Sequence, residues 1–509
     1  MQDEQAVTTA GEAGQAVGDE PAGVPEPAGP SPRHVRAMLL VAMAATFMAM
    51  MDSYIVNVAI PSIRADLGAS VGTAEMTTGA YILVYGLFLV TGGRLGDLVG
   101  FRRMFLVGLG LFTVASLACG VAPDPGSLIV FRCVQGFSAA LFFPQILSII
   151  QTTFTGRRRD AALALFGVTI GIAAITGQLI GGVLIHADLF GWGWRPIFLV
   201  NLPLGLLTIA GAAYTMPGIA GTRQARLDLP GVGLLTAALL LLSFPLAEGH
   251  TAGWPALFFV MMVLSVPFFA AFWMWERRLA ASGGQPLINP TLLHLRGYRS
   301  GNLVFLAFFA CNAGLFFVLA VQLQSGLGYS ALQSGLLFAP LGVAFTGTAL
   351  FVPRILPKLG LHILTAGYGL NALGYLVLLA TAAAAGDGLS GPVLIPALVI
   401  VGVGQGLGVS PLLGTALSEV PPQEAGSAAG VLETVGQLGM SVGIALVALV
   451  YFDTLGDASS RHAYTHAFTV TLVLNAALAL LALVFVPPLR RAAAAAQAAQ
   501  AASANGSEA

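Results

Sequence analysis

Two oppositely charged side chains stand alone in long apolar stretches: Asp52, in Met50-Met51-Asp52-Ser53-Tyr54, and Arg132, in Val130-Phe131-Arg132-Cys133-Val134. A third, Glu433, sits in Val431-Leu432-Glu433-Thr434. An ionised Asp at the centre of an apolar helix costs roughly 2.5–3.5 kcal/mol on insertion scales. Asp52 must therefore face water, meet a partner or take up a proton. Arg132 stays charged, so it needs a carboxylate or a carbonyl. Such a set can bind and release protons or recognise a cation. The alternative for Asp52 and Arg132 is a fixed polar brace between helices, and for Glu433 a solvated position near a helix end. No nucleophile–base pair accompanies them, so an enzyme is not expected.

Other chemistries fail on spacing. Gly402-Val403-Gly404-Gln405-Gly406-Leu407-Gly408 looks like a nucleotide loop, but it lies inside an apolar run and follows no strand. His462 and His466 are four apart without further ligands nearby, so no metal is expected. Cys119, Cys133 and Cys311 read as small apolar residues. No cofactor and no nucleic acid are expected.

The elements that position these residues must be membrane helices. Of 509 residues, 57% are hydrophobic and 9% charged, against about 25% charged in soluble domains, and mean hydropathy is +0.85. Apolar runs recur at about 37–60, 76–96, 104–122, 128–150, 161–185, 194–216, 229–248, 256–275, 299–324, 332–352, 361–383, 392–417, 427–451 and 467–487. Each approaches the ~20 residues that cross ~30 Å of hydrocarbon. The expected fold is an all-α polytopic membrane protein with 14 transmembrane helices. Residues 1–36 and 489–509 are expected to be cytoplasmic tails, the first disordered. Residues 37–217 and 299–488 are expected to form six-helix halves, with 218–298 supplying two inserted helices.

Charge supports this count. With the N-terminus inside, 18 of the 22 basic residues fall in inner segments. Arg64, Arg195 and Arg461 fall outside, and Arg132 lies within a span. Such weighting predicts both termini in the cytoplasm and a multi-pass protein of the inner (cell) membrane. A weak repeat agrees: Arg94 and Gly100 match Arg354 and Gly360 at an offset of 260 residues.

Four segments carry a family likeness. The loop after the second span reads Gly93-Arg94-Leu95-Gly96-Asp97-Leu98-Val99-Gly100-Phe101-Arg102-Arg103, and the fourth span holds Arg132-Cys133-Val134-Gln135-Gly136. The first span holds Asp52-Ser53-Tyr54-Ile55-Val56-Asn57, and the sixth opens with Trp194-Arg195-Pro196-Ile197-Phe198-Leu199-Val200-Asn201-Leu202-Pro203. Together they resemble the major facilitator superfamily, and its 14-helix drug:proton antiporter branch in particular. The fifth span departs from that branch: Gly177-Gln178-Leu179-Ile180-Gly181 has Gln178 where Pro is usual.

The resemblance implies a proton-driven exporter of drugs, antibiotics or related amphipathic molecules, working by alternating access as a monomer. The alternative is a proton-coupled symporter importing a nutrient or organic ion. Asp52 and Arg132 would couple protons, and Glu433, which stands where that branch often has an uncharged polar residue, is a further candidate for coupling from its own chemistry; Gly93, Arg94, Asp97, Gly100, Arg102 and Arg103 would gate, with Asp97 placed to cap another helix. Gly167, Gly171, Gly177, Gln178 and Gly181 would form the small-residue packing face of the antiport motif. A central cavity would be lined by Tyr54, Asn57, Gln135, Phe142, Phe143, Asn312, Phe316, Phe317 and Gln322. The expected partners are a small-molecule substrate, protons and the lipid bilayer.

Overall fold

The computed structural model describes residues 32–154, 156–188, 191–216, 227–249, 252–329, 331–456, 458 and 460–506. The N-terminal segment expected to be disordered lies mostly outside them.

Fourteen long helical segments follow one another. They are α1 (Pro32–Leu67), α2 (Val71–Val99), α3 (Phe101–Gly120), α4 (Pro125–Thr153), α5 (Gly156–Ala187) and α6 (Pro196–Thr215). Then come α7 (Leu229–Glu248), α8 (Ala256–Ala281), α9 (Arg296–Val321), α10 (Ala331–Leu359), α11 (His362–Ala385), α12 (Gly391–Ala416), α13 (Ala425–Leu455) and α14 (Arg461–Gly506). Thirteen are long and apolar enough to cross a membrane among the described residues. The remaining one, α5, is 32 residues long, with its side chains at 160, 174, 175 and 178 outside the described set. The expected order of helices is therefore present.

Two boundaries differ from the expectation. Helix α1 begins at Pro32, inside the segment expected to be a tail, since Pro is pre-shaped for a first helical turn. Helix α14 runs through Pro487 and Pro488 to Gly506, so the tail expected from 489 continues the last span. Its Ala-rich sequence has the highest intrinsic helix preference.

Helices α1–α6 and α9–α14 form two bundles. They meet where α2 lies on α13 and α5 lies on α10 and α12. Glycine allows the first contact: a Cβ on Gly93 would fall 2.0 Å from the carbonyl oxygen of Gly426, and one on Gly430 2.5 Å from that of Leu89. These contacts cluster toward the end of the bundle where the chain enters and leaves, called here the terminal end. Farther along, α2 and α13 diverge around a groove of ≈ 250 Å³ walled by Leu239, Ser243 and Leu246 of α7. The inserted helix α7 thus packs on the α2–α13 seam from the side, and α8 packs on α7.

Candidate functional site

Asp52 and Arg132 meet in the interior of the first bundle. Arg132 Nη1 donates to Asp52 Oδ2 at 2.5 Å, and both side chains are 0% exposed. The other carboxylate oxygen, Oδ1, accepts from Gln135 Nε2 at 2.9 Å and Asn201 Nδ2 at 2.8 Å. Arg132 also donates from Nη1 to Gln135 Oε1 at 2.7 Å and from Nε to the Thr77 carbonyl at 2.9 Å. Ser116 Oγ accepts from Gln135 at 3.2 Å and Asn201 at 3.0 Å, and donates to the Phe198 carbonyl at 2.9 Å. The guanidinium lies over the Tyr81 ring, 4.3 Å from its centroid. Within this cluster, Arg132 Nη2 and Asn201 Oδ1 are buried without hydrogen-bond partners among the described residues.

Local sequence explains the assembly. Gly136 lets α4 press on α2, where a Cβ would stand 2.4 Å from the Tyr81 carbonyl; this sets Tyr81 beside Arg132. Arg132 and Gln135 are three apart and so share a helix face. Helix α6 breaks at Val200 between Pro196–Leu199 and Asn201–Thr215. Pro203 has no N–H to return to the Leu199 carbonyl, and the break turns Asn201 toward Asp52. Helix α6 sits close to α3 because Gly205 faces Thr113, 2.2 Å from where a Cβ would be.

The glycines expected on one packing face of α5 divide into two pairs. Gly167 and Gly171 face the second bundle, at Ser410 and Phe345. Gly177 and Gly181 face α1 within the first bundle, at Met51 and Ile55, with hypothetical Cβ contacts of 2.9 Å. The latter pair holds α1 in place immediately beside Asp52. The Gln178 side chain lies outside the described residues.

At the terminal end, Asp97 crosses the seam. Its Oδ1 accepts from Gly426 N and its Oδ2 from Ser427 N, both at 2.9 Å. Those amides are the unsatisfied donors of the α13 N-terminus, where a carboxylate is favoured. Arg94 acts on Asp97 electrostatically. Arg102 donates from Nη2 to the Ala213 carbonyl, and Arg103 is exposed. Gly100 joins α2 to α3 with φ +103, a conformation that side-chain-bearing residues avoid.

The remaining expected residues are scattered. Glu433 is half-buried on α13, with no hydrogen bond or ion pair to the Asp52 cluster among the described residues. Between them stands Tyr85, stacked on Tyr81 at 6.0 Å and close enough for Glu433 to act on its hydroxyl. Four residues expected in the cavity are packed inside the bundles. Gln135 belongs to the Asp52 cluster. Phe142 and Phe143 are buried in the packing of the first bundle, Phe142 meeting Phe105 and Phe112 edge-on. Gln322 is 0% exposed and accepts from the Tyr451 hydroxyl at 3.5 Å. These residues fill interhelical space because close-packed helices leave few voids. Tyr54, Asn312 and Phe317 are half-buried, and Phe316 is exposed and stacks on Phe338 at 5.2 Å. The Asn57 side chain lies outside the described residues.

The far end carries an ion pair. Arg195 Nη1 lies 2.6 Å from Asp66 Oδ2, which also accepts from Trp194 Nε1 at 3.0 Å. The Arg195 hydrogen bond, then that of Trp194, hold the Asp66 carboxyl below its ordinary pKa. Among the described residues no group of three His, Cys, Asp or Glu is arranged to hold a metal.

The profile of the Major Facilitator Superfamily matches residues 42–233 and 229–444. A probable actinorhodin transporter of Streptomyces coelicolor is 39% identical over 435 residues, covering 85% of this chain and 75% of that protein. The cephamycin export protein CmcT of Amycolatopsis lactamdurans is 36% identical over 426 residues, covering 81% and 84%. Among solved structures, the human organic anion transporter MFSD10 (TETRAN) superposes with a TM-score of 0.64, covering 90% of this chain and 100% of that one. At 16% identity it speaks to the fold alone.

Proposed function

The chain belongs to the major facilitator superfamily, and on that premise we propose that it is a proton-driven exporter of antibiotics, drugs or related amphipathic small molecules. The observation that carries the export reading is likeness along four-fifths or more of the chain to proteins named for antibiotic transport and export. Arginine weighting supports a terminal end that faces the cytoplasm, with both termini inside an inner membrane.

In this reading the contacts of Asp97 with α13, and of α5 with α10 and α12, close the cytoplasmic side. Asp52 is the proton carrier. While ionised it is satisfied by Arg132, Gln135 and Asn201. A proton arriving on Asp52 cancels the ion pair and leaves Arg132 held by neutral acceptors, Gln135 Oε1 and the Thr77 carbonyl. The freed positive charge raises the cost of the occluded packing, and through Tyr81 and Tyr85 it reaches toward Glu433 on the opposite bundle. Glu433 serves as the second acidic group. A membrane potential of 100 mV contributes about 2.3 kcal/mol per proton, enough to drive uphill export.

The test is proton-driven transport in everted vesicles, with a panel of fluorescent amphipathic cations and antibiotics. Lumenal acidification is expected to load substrate. Depletion of substrate from an acidified lumen would instead establish the symporter reading, which the unusual Gln178 keeps open.

A further inference from the structure

The inserted helices hold a pair of buried acids that the transport cycle leaves unused. Asp228 caps the N-terminus of α7, its Oδ1 accepting from Gly231 N at 3.1 Å. Trp275 of α8 donates its indole Nε1 to both Asp228 oxygens, at 3.0 Å each. The next residue, Glu276, is 0% exposed, and Asp228 is 8% exposed. Glu276 Oε2 accepts from Ile288 N at 2.9 Å, in the connector that leads to α9. Its other oxygen, Oε1, has no hydrogen-bond donor among the described residues.

That orphaned oxygen is aimed at Asp228. A Cβ on Gly231 would stand 2.1 Å from Asp228 Oδ2 and 2.5 Å from Glu276 Oε1. Both oxygens therefore face the same bare Cα, and the two carboxyls are within hydrogen-bonding reach of each other. Two buried carboxylates this close do not both stay ionised without a counter-charge. None is at hand among the described residues. On α8, Arg277 and Arg278 are exposed. His294, in the 3-10 turn Pro290–His294, is engaged with the Pro290 carbonyl. The helices packed on α7 bring Arg94 and Asp97 from α2 and Glu433 from α13, none bonded to the pair. Glu248 lies at the other end of α7.

We propose that Asp228 and Glu276 form a proton-binding site, with one proton bridging Glu276 Oε1 and Asp228 Oδ2. Glu276 is its owner, because Asp228 already accepts from Trp275 and a helix-terminal amide that favour the charged form. The site connects to the seam. Next to Ile288, Asn289 Nδ2 donates to Glu424 Oε1 at 2.6 Å, and Glu424 precedes the α13 amides that Asp97 caps. Loss of the bridging proton drives the carboxyls apart and slackens the connector, so the site couples proton activity at the terminal end to the closure of α2 on α13. The site does not depend on which substrate is carried.

The experiment is infrared spectroscopy of the full chain in lipid nanodiscs near pH 7, comparing wild type with Glu276→Gln and Asp228→Asn. The expected result is loss of one protonated-carboxyl stretching band in Glu276→Gln and its retention, shifted, in Asp228→Asn. An unchanged band in Glu276→Gln means Glu276 is ionised and overturns the site. A wild-type measurement stands independently of whether the variants fold. The wild-type melting temperature is expected to fall as pH rises from the ordinary carboxyl range toward neutrality, where the unfolded chain has lost a proton that the folded chain still holds, and to ignore added potassium or magnesium. A rise with pH, or stabilisation by either cation, overturns it as well.

Discussion

Replacing Asp52 by Asn asks whether the buried pair carries protons or merely braces α1 against α4. The carboxylate accepts three hydrogen bonds, from Arg132 at 2.5 Å, Gln135 at 2.9 Å and Asn201 at 2.8 Å. Removing one partner of a buried pair costs about 3–5 kcal/mol, because the other charge is left without compensation. Asp52→Asn and Arg132→Met are each expected to fall in that range. At about 1.4 kcal/mol per factor of ten, 3 kcal/mol is roughly a 150-fold change in the folded-to-unfolded ratio. The double variant is expected to cost less than either single one. Its new amide can donate to Gln135 Oε1 in place of Arg132, while its oxygen accepts from Asn201. The coupling energy in the cycle is then at least about 3 kcal/mol. Reversible unfolding in detergent, followed by tryptophan fluorescence, reads these values; proteoliposomes read transport. Asp52→Asn is expected to abolish transport driven by a pH gradient and to keep substrate–substrate exchange, which needs no net proton movement. Wild-type pH-driven export by Asp52→Asn, or single and double variants all within about 0.5 kcal/mol of wild type, would refute the argument.

The same geometry makes further predictions. Gly93→Ala puts a methyl 2.0 Å from the Gly426 carbonyl, so spin labels at exposed positions 103 and 423 should move apart and export should fail; Gly110→Ala, which meets nothing within 4 Å, should behave as wild type. Asp97→Asn keeps one of the two acceptor bonds to α13 but loses the charge at the helix terminus, worth about 0.3–1 kcal/mol, and should shift the same distance distribution partway. Gly177→Ala crowds the Met51 carbonyl beside Asp52; a loss of pH-driven export that exceeds the loss of substrate binding is the expected readout, and equal losses would count against a positioning role. At the far end, Asp66 has its pKa lowered by Arg195 and Trp194. Its contribution to stability is present above the ordinary carboxyl pKa and lost as pH falls through the lowered one. Asp66→Asn should therefore lower the melting temperature at neutral pH, flatten the acid limb of the profile below about pH 4, and converge with wild type at the acid end.

Much of the site was legible in the chain because it consists of residues expensive to place in lipid. Asp52 and Arg132 each demanded a partner, and their pairing follows from the shortage of alternatives. Asn201 was less visible: an Asn at a helix start is ordinary, and only the α6 break turns it toward Asp52. Ser116, on α3, gave no signal beyond a hydroxyl in an apolar run. Asp228 and Glu276 escaped notice because each lies near a span end, where an acid is usually solvated. The cavity reading rested on composition alone. Phe142, Phe143 and Gln322 have the composition of a binding pocket, yet they pack inside bundles.

Sequence by itself determined the number and order of the helices, since hydrophobic run length is a local property that bilayer thickness reads directly. It also determined which side chains could not be left without partners. Tertiary structure alone decided who those partners are. Asp52 and Arg132 are 80 residues apart in the chain. Asp97 is 329 residues from the Gly426 amide it caps. The α5 glycines share one helix yet serve two different interfaces. Hydropathy fixes how far a helix extends but not its rotation about its own axis. That rotation is set by glycine contacts at sub-van-der-Waals spacing for any larger residue, and by matching buried donors to acceptors across helices.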